Sequence, residues 1–562
     1  MNEETHPYPK AAEYLAVTHE VQNQPPPLQN YNTFLADTAL REMSTRFGTH
    51  RHEDDLIAYG ELTGRADMID LGFQANEHKP VLYTHDRYGH RVDLVKFHPA
   101  YHELMKTALE HGLHSSPWMH PGPGAHVKRA IKYYLHMQVE AAHGCPVTMT
   151  FAALPTLMQN EYVVKEWLPK VLAPEYDGRN VPFTEKSAVT LGMAMTEKQG
   201  GSDVRANTTR AFPLYDRGAE HAYELVGHKY FVSAPMSDAF LVLAQAPGGL
   251  TCFLLPRWRP DGTKNPLQIQ RLKNKMGNVA NASSETELRG ALAWRVGDEG
   301  RGVRTIIEMV SLTRFDCMIG SSAGMRQAVV QALHHSAHRS AFGARLSEQP
   351  LMQNVLADLV LESEAALAYT LRMAQALDHQ DDPGEQRLLR LGTAIGKYWI
   401  CKRTPGHAYE AMECIGGSGL MEDCIMPRLL RESPVNSIWE GSGNVQCLDV
   451  LRATQKEPET LQAFLDEVGQ AEGEHPEFDA FMNRLEHDLE NTEDMQYRAR
   501  NLTERLALAM QASLLLRGSC PIVADAFCRS RLSTHVGLNY GNLPTGIDCA
   551  TIIQRATPMV NA

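Results

Sequence analysis

The stretch "MAMTEKQGGSDVRA", residues 193 to 206, decides the fold of this chain. Thr196 and Ser202 supply hydroxyl groups, and Gly200 and Gly201 allow the backbone to approach a ligand closely because they have no Cβ atom. A tight turn at the edge of a β-domain explains the two glycines equally well when the stretch is considered alone. The stretch lies between a helical region and a run of short strands, so it marks a boundary between two kinds of secondary structure.

The hydrophobic period changes on either side of this stretch. Helical spacing runs from about Phe97 to Trp167, whereas "YELVGHKYFVSAP" and "DAFLVLAQ" are short, β-branched and aromatic, and predict an antiparallel β-domain. Helical spacing then returns in segments long enough for a bundle, and beyond Arg452 the chain becomes acidic and partly amphipathic. We therefore expect four domains: an N-terminal helical domain with an extended arm (1–190), a β-barrel domain (191–296), a helical bundle (297–452) and a C-terminal helical domain (453–562).

Composition limits the possible functions. The 562 residues are 43% apolar and carry a formal charge of −13, so the chain can bury a large core and repels nucleic acid as a whole. Its ten scattered cysteines, the polar start "MNEETHPYPK" and the absence of an apolar run of about 20 residues predict a soluble cytoplasmic protein without a membrane span. The histidines show no HExxH-like spacing, and we expect no metal.

Two later segments carry candidate chemistry. In "ECIGGSGLMEDCIMPRLLRE" (413–432), Gly416 and Gly417 follow a helical run, where free amides can cradle a pyrophosphate and where a helix C-cap is an equal alternative. In "SIWEGSGNVQC" (437–447), Glu440 is the one charged residue. Its carboxylate predicts either a general base, with a pKa raised by its apolar neighbours, or a cap or ion-pair partner for an arginine.

Together these segments resemble the signatures of the acyl-CoA dehydrogenase family of flavoproteins. The first signature corresponds to residues 194–206 and the second to residues 413–432. Further stretches, among them "LTRFDCMIG" and "PVNSIWEGSGNVQCLDVLR", resemble the branch of that family associated with the bacterial response to DNA alkylation. The resemblance implies an α+β fold of the family type, with a helical domain, a β-barrel and a helical bundle, plus an additional C-terminal helical domain. It also implies FAD as the cofactor.

The resemblance assigns the catalytic positions. A glutamate at the position of Glu440 removes the α-proton of an acyl thioester while a hydride leaves the β-carbon for the flavin. Some family members place the base at the position of Thr313, and threonine cannot serve as one. Arg314 matches an active-site arginine and is expected to be an electrostatic partner of Glu440.

The cofactor positions also follow from the resemblance. Thr196 is expected at the pyrimidine edge of the flavin, Ser202 at the pyrophosphate, and Phe231 and Ser233 beside the ring. The residues that a neighbouring subunit is expected to place on the adenosine diphosphate part are Arg339, Phe342, Gly416 and Gly417. This implies a homo-oligomer, a tetramer built as a dimer of dimers. The implied set is Met195, Thr196, Gly201, Ser202, Phe231, Ser233, Arg339, Phe342, Gly416, Gly417, Trp439, Gly441, Ser442 and Asn444.

Two functions remain open at this point. One is an alkylation-response flavoprotein with weak acyl-CoA dehydrogenase activity that also binds duplex DNA; the other is an ordinary dehydrogenase of short or branched acyl-CoA thioesters. The C-terminal domain has nine basic and sixteen acidic residues, a formal charge of −7, which opposes DNA binding. Arg452 matches an arginine linked to that binding, and Arg498 and Arg500 are expected to join it on a basic face.

Overall fold

The computed structural model of the chain describes residues 18–214, 221–534 and 537–558. The start "MNEETHPYPK", on which the predicted cytoplasmic location partly rests, lies outside these ranges. Short 3-10 helices occur at His50–His52, Phe183–Glu185, Val204–Ala206, Leu346–Glu348, Gly416–Leu420 and Val435–Ser437.

The N-terminal region is helical, as predicted, but it also contains a β-hairpin that the helical period did not indicate. Strands Val81–His85 (β1) and Arg91–Lys96 (β2) pair in antiparallel fashion around a turn closed by Gly89. The helices are Thr38–Arg46 (α1), Glu53–Thr63 (α2), Ala66–Glu77 (α3), Pro99–Glu110 (α4), Ser116–Met119 (α5), Ala125–Val139 (α6), Gly144–Ala152 (α7), Leu154–Leu157 (α8) and Glu161–Leu172 (α9).

A seven-stranded β-domain follows. Its strands are Leu191–Ala194 (β3), Arg210–Pro213 (β4), Ala222–Ser233 (β5), Ala239–Ala246 (β6), Gly249–Pro256 (β7), Leu267–Leu272 (β8) and Ser283–Val296 (β9). The order β6-β4-β5-β9-β7 closes on itself because β7 pairs again with β6, so the sheet forms a barrel. Most pairs are antiparallel, as predicted, but β3 and β4 both lie parallel to β6. The loop between β3 and β4 carries the first signature, so both of its ends are fixed against the same strand.

Three long helices form the bundle: Gly302–His338 (α10), Pro350–Asp378 (α11) and Pro383–Ile415 (α12). A small hairpin of Ser340–Ala341 (β10) and Ala344–Arg345 (β11) joins α10 to α11. Asp382 caps the N-terminus of α12, and its side chain accepts a hydrogen bond from the Gly384 amide. Gly416, which has φ +70°, caps the C-terminus. Helices Met426–Glu432 (α13) and Gly443–Lys456 (α14) complete the bundle.

The C-terminal helices pack against the bundle. They are Pro458–Gly469 (α15), Pro476–Glu490 (α16), Met495–Leu516 (α17), Pro521–Arg531 (α18) and Cys549–Ala556 (α19). Arg372 on α11 donates hydrogen bonds to both carboxylate oxygens of Glu467 on α15, and Trp399 on α12 donates to Gln511 on α17 at 2.9 Å. These buried polar contacts fix the C-terminal helices to the bundle as one packed body.

A buried ion pair joins the N-terminal helices to the bundle. Arg129 on α6 donates to both carboxylate oxygens of Asp316 on α10, with 2.7 Å between Nη2 and Oδ2, and both side chains are at most 1% exposed. The remaining guanidinium donor, Nε, bonds the Leu113 carbonyl, and the Phe151 ring lies 3.8 Å from the guanidinium carbon. The pair is fully enclosed, so removing one partner would leave the other as an uncompensated buried charge.

The β-domain is fixed to the bundle through the last residue of the second signature. Glu432 on α13 accepts hydrogen bonds from the backbone and side-chain amides of Asn278, which lies in the β8–β9 loop with φ +56°. Gly277 has no room for a Cβ atom, because one would lie 2.2 Å from the Arg431 carbonyl oxygen. The two domains therefore meet in direct backbone contact beside the signature.

We expect Arg129→Met to lower the stability of the protein strongly. The substitution leaves Asp316 buried without its partner, which costs about 3–5 kcal/mol. The midpoint of urea unfolding, followed by circular dichroism, measures the effect. Arg65→Met is the matched control, because Arg65 pairs with Asp67 at the surface, where the side chains are 55% and 66% exposed. Equal midpoints for the two variants would show that the buried pair does not hold the domains together.

Candidate active site

Glu440 lies in a left-handed turn that ends just before α14. It has φ +57° and is followed by Gly441 with φ +100°. A non-glycine residue in this conformation is strained and persists only where its surroundings hold it. A Cβ atom at Gly441 would lie 2.7 Å from the Gln446 side-chain nitrogen, so glycine is needed there for space as well.

Buried donors from three helices hold this turn. The Lys397 ammonium on α12 donates to the carbonyls of Trp439 and Gly441, at 2.8 and 2.5 Å, and Lys397 is 1% exposed. The Glu440 carbonyl accepts from Arg314 Nε on α10 and from the Gln446 amide on α14. Every carbonyl from residue 439 to 441 thus has a donor, which fixes the strained backbone.

The Glu440 carboxylate is free of an ion pair among the described residues. Its Oε2 accepts a hydrogen bond of 2.7 Å from the Thr313 hydroxyl, while the Arg314 guanidinium pairs with Asp449 at 2.9 Å. Burial raises the pKa of the Glu440 carboxyl above its usual 4.5, against the lowering effects of the Thr313 hydrogen bond, Arg314 and Lys397. Arg314 therefore acts on Glu440 through its backbone and its charge.

The first signature loop is held by a second buried ion pair. Glu197 in the loop accepts from Lys229 on β5 at 2.9 Å, and both side chains are at most 1% exposed. The same carboxylate accepts from the amides of Thr208 and Thr209, where the loop rejoins the sheet. Burial raises the pKa of this carboxyl, but the Lys229 charge and the hydrogen bonds outweigh it and lower the pKa well below its usual value. The loop is therefore closed by one side chain.

The predicted flavin residues lie on this loop and at the end of β5. The Thr196 carbonyl accepts from the Tyr230 amide, and its side chain lies against Gly201, where a Cβ atom would come within 2.4 Å of the hydroxyl. Ser202 is exposed, Phe231 is 47% exposed, and the Ser233 hydroxyl lies 3.1 Å from the Ser283 hydroxyl. The Met195 carbonyl accepts from the Asn207 side chain.

Cys145 on α7 links this loop region to the Glu440 turn. Burial raises the pKa of its thiol to about 12, and nearby Glu440 raises it while Lys275 and hydrogen bonds from Ser233 and Asn281 lower it. One buried thiol is therefore influenced by both the predicted flavin side and the predicted base. Cys145 therefore lies near both the end of β5 and the Glu440 turn.

The residues expected to serve a neighbouring subunit lie apart from this group. Phe342 at the tip of the β10–β11 hairpin is 99% exposed with φ +53°, and Arg339 donates to the Asn23 carbonyl of its own N-terminal arm. Gly416 and Gly417 have open space where a Cβ atom would stand.

The other predicted cofactor residues lie on the Glu440 turn and at the start of α14. Trp439 donates to Asn436, Ser442 is the N-cap residue of α14, and Asn444 accepts from Arg500 at 2.8 Å.

The three arginines proposed for DNA contact have different surroundings. Arg452 on α14 is 61% exposed and 3.7 Å from Asp449. Arg498 donates to the carbonyls of Asn491, Glu493 and Asp488, so it closes the α16–α17 connection. Arg500 bonds Asn444, next to the Glu440 turn. The structure does not gather these three side chains through shared contacts, and their role in DNA binding stays a prediction.

Comparison with known proteins decides the family. Residues 23–178 match the AidB N-terminal domain of adaptive response proteins, residues 192–291 the acyl-CoA dehydrogenase middle domain and residues 300–455 the acyl-CoA dehydrogenase C-terminal domain. AidB of Escherichia coli is 43% identical over 93% of this chain and 96% of its own length. The chain belongs to the AidB branch of the acyl-CoA dehydrogenase family.

Solved structures of acyl-CoA dehydrogenases have the same fold as this chain. Caenorhabditis elegans ACDH-11, solved in complex with C11-CoA, superposes with a TM-score of 0.82 at 26% identity, covering 98% of this chain and 95% of ACDH-11. A Bacillus anthracis acyl-CoA dehydrogenase complexed with FAD has a TM-score of 0.61 at 18% identity, covering 77% and 81% of the two chains. Family membership confirms the predicted fold class, the enzyme class of FAD-dependent oxidoreductase and the cofactor.

The residues of this family member fit FAD. A half-exposed aromatic ring at Phe231, an exposed hydroxyl at Ser202 and the open backbone at Gly416 and Gly417 offer stacking, hydrogen-bonding and phosphate-binding groups. The Lys273 ammonium lies 4.6 Å from the Phe231 ring centroid and pairs with Glu285 at 2.6 Å. In the described part of the chain, His, Cys, Asp and Glu form no metal-binding group of three, and no helix there is both long and apolar enough for a membrane span.

Three residues of the site escaped sequence reasoning. Lys397 lies in the helical run "AIGKYWICK", where a lysine indicates only a solvated face. Glu197 has its ion-pair partner 32 positions away, and Gln446 reaches back to the carbonyls of Glu440 and Gly441 from the first turn of α14. The strained turn was the available clue, because "WEGSG" needs donors for its carbonyls once it is buried.

We expect Lys397→Met to disturb the turn and its base together. The Trp439 carbonyl loses its donor and the Gly441 carbonyl keeps only the 3.1 Å bond from Gln446, which costs about 2 kcal/mol in the free energy of unfolding, and the loss of the nearby cation raises the pKa of Glu440 further. The measurements are the urea midpoint and the pH dependence of flavin reduction, whose acidic limb should move to higher pH. Lys402→Met, at an exposed position of the same helix, is the control and should change neither. A stability loss without a displaced acidic limb would show that Lys397 is only structural.

Proposed function

We propose that the chain oxidises acyl-CoA thioesters at a bound FAD, with Glu440 as the general base. The observation that carries the proposal is the Glu440 carboxylate itself, which is held by Thr313, has a raised pKa and has no ion-pair partner in the described chain. A carboxylate in that state is competent to take a proton from a weakly acidic C–H group. Its strained backbone keeps it in one orientation.

The reaction balances with the residues present. Glu440 takes the α-proton, the electron pair of that C–H bond forms the new carbon–carbon double bond, and the β-hydrogen leaves with its own electron pair. FAD, when bound, supplies the acceptor for that hydride. Thr313 donates a hydrogen bond to the base in its charged form, and Lys397 with Arg314 fixes the turn that carries it.

An acyl-CoA substrate is supported by the relative from C. elegans, which was solved with C11-CoA. The competing expectation of short or branched acyl chains is tested by turnover on a panel of thioesters. The match of residues 23–178 to the N-terminal domain of adaptive response proteins supports the role in the response to DNA alkylation that the sequence resemblance implies. Duplex DNA binding through Arg452, Arg498 and Arg500 and a cytoplasmic location stay predictions of the sequence, and Arg452 and Arg500 are the two of these arginines that are exposed.

A homotetramer is also part of the proposal. Its support is the tip of the β10–β11 hairpin, where Phe342 exposes 99% of its surface, together with the open backbone at Gly416 and Gly417. The Phe342 ring buries almost no surface against the described residues, and contact with a second copy would give it a partner.

We expect Glu440→Gln to slow flavin reduction by about 10²–10⁴-fold, the usual contribution of a positioned general base. The amide keeps the size of the side chain and its contact with Thr313, so FAD should remain bound. Anaerobic mixing with the best acyl-CoA substrate, followed by bleaching of the flavin band, measures the rate. Reduction at the wild-type rate would exclude Glu440 as the base.

The Thr313→Val variant serves as the pH control for that experiment. Because the Thr313 hydrogen bond lowers the pKa of Glu440, its loss should raise the pKa and move the acidic limb of flavin reduction to higher pH. The wild-type limb should itself lie above pH 4.5, since the folded protein raises this pKa. A limb that does not respond to Thr313→Val would belong to another group.

We expect Phe342→Ser to weaken assembly and FAD retention together, because oligomer formation and cofactor binding are linked. Analytical ultracentrifugation and the flavin-to-protein ratio after gel filtration measure the two effects. Tyr497→Ser is the matched control, since Tyr497 is 92% exposed on the C-terminal helices. Loss of FAD from a variant that stays fully assembled would contradict the linkage.

A further inference from the structure

A cavity of about 280 Å³ lies between the N-terminal region and the β-domain. Its walls come from the β1–β2 hairpin, helix α4, the segment after α9 and the turn between β5 and β6. The volume is close to the lower end of the range of about 300–1,000 Å³ that is usual for small-molecule sites. None of the residues predicted to bind the flavin or to act as the base lines it.

The apolar wall of this cavity is rigid and largely aromatic. Phe97 and Tyr101 stack with 4.2 Å between ring centroids, and Met105 continues the wall one turn further along α4. Tyr176 also lines the cavity, where its ring stacks on His102 of α4 and its hydroxyl lies 2.8 Å from His102 Nδ1. Such a wall suits a compact apolar or aromatic group.

A buried hydroxyl in the cavity has no partner. Ser237 is 3% exposed, and its Oγ makes no hydrogen bond with the described residues. Its backbone is fixed on both sides, because its amide donates to the Ala234 carbonyl and its carbonyl accepts from Arg257 Nε at 2.8 Å. An unpartnered buried hydroxyl costs free energy unless a bound group satisfies it.

The charges around the cavity favour an anion. Lys96 is the one exposed cation of its lining, and its ammonium lies 4.9 Å from the Tyr83 ring rather than in an ion pair. The other lining charges are compensated, since Lys186 pairs with Asp238 at 2.7 Å and Asp177 pairs with Arg179. A ligand carboxylate would therefore meet one unpaired positive charge and no unpaired negative charge.

We propose that this cavity is a second binding site, specific for a small carboxylic acid with an aromatic or branched apolar body. The apolar body packs between Tyr101, Met105 and Tyr176, the Ser237 hydroxyl donates to the carboxylate, and Lys96 closes the mouth as its counter-charge. The site adjoins the predicted flavin strand end, because Ala234 lines it directly after Ser233. It shares no residue with the Glu440 turn.

Isothermal titration of the FAD-loaded protein with 3-phenylpropionate tests the proposal. We expect one site per chain, and binding about tenfold weaker for Lys96→Met and for the neutral analogue 3-phenylpropan-1-ol, the effect of about 1.4 kcal/mol. Ser237→Ala should also weaken binding, and Met105→Trp should abolish it by filling the cavity. Lys106→Met, an exposed neighbour on α4 that does not line the cavity, is the control and should bind like the wild type.

Flavin absorbance recorded in the same titration separates this site from the catalytic one. Binding in the cavity should leave the flavin band and the rate of its reduction by acyl-CoA unchanged. Three results would overturn the proposal. The first is no binding by the wild type, and the second is wild-type affinity in both the Lys96→Met and the Met105→Trp variants. The third is an acid that perturbs the flavin band and competes with the thioester. The last result would place the acid at the catalytic site and leave the proposed function intact.

Discussion

The site depends on the hydrogen bonds that a buried lysine, Lys397, donates to backbone carbonyls. Lys397 has no carboxylate partner among the described residues, and its charge is stabilised by the carbonyls of Trp439 and Gly441. A buried ammonium without such acceptors is very costly, and a buried strained turn without donors is costly too. Each therefore requires the other, and Glu440 takes its orientation from both.

Buried charges are also compensated at other contacts between parts of the chain. Arg129 with Asp316 joins the N-terminal helices to the bundle, Glu197 with Lys229 closes the first signature loop, and Lys186 with Asp238 lies beside the second cavity. Because these pairs are enclosed, we infer that they determine which arrangement of the domains forms. A misplaced domain would leave two charges buried and unpaired. The packing of helices against strands is apolar and tolerant, and the ion pairs select one arrangement of it.

Sequence reasoning recovered what depends on local pattern. The change of hydrophobic period predicted the order of helices, strands and helices, and the two signature stretches predicted a flavin-dependent family member. The β1–β2 hairpin was missed because Val81–His85 is short and lies within a region whose neighbours have helical spacing. The parallel pairing of β3 with β6 was missed because pairing direction is set by the path of a loop, which composition does not encode. Lys397 was missed because its partners lie more than 40 positions away.

The hydrogen bond between Thr313 and Glu440 restricts how a catalytic base can change position during evolution. The family resemblance implies that some members carry the base at the position of Thr313, whose hydroxyl here lies 2.7 Å from the Glu440 carboxylate. A glutamate introduced there while Glu440 remains would set two carboxyl groups against each other, and such a pair shares one proton instead of ionising twice. An ancestor moving between the two arrangements must therefore pass through a form with a proton-sharing pair or a form with no base. The two positions can therefore carry only one charged base at a time.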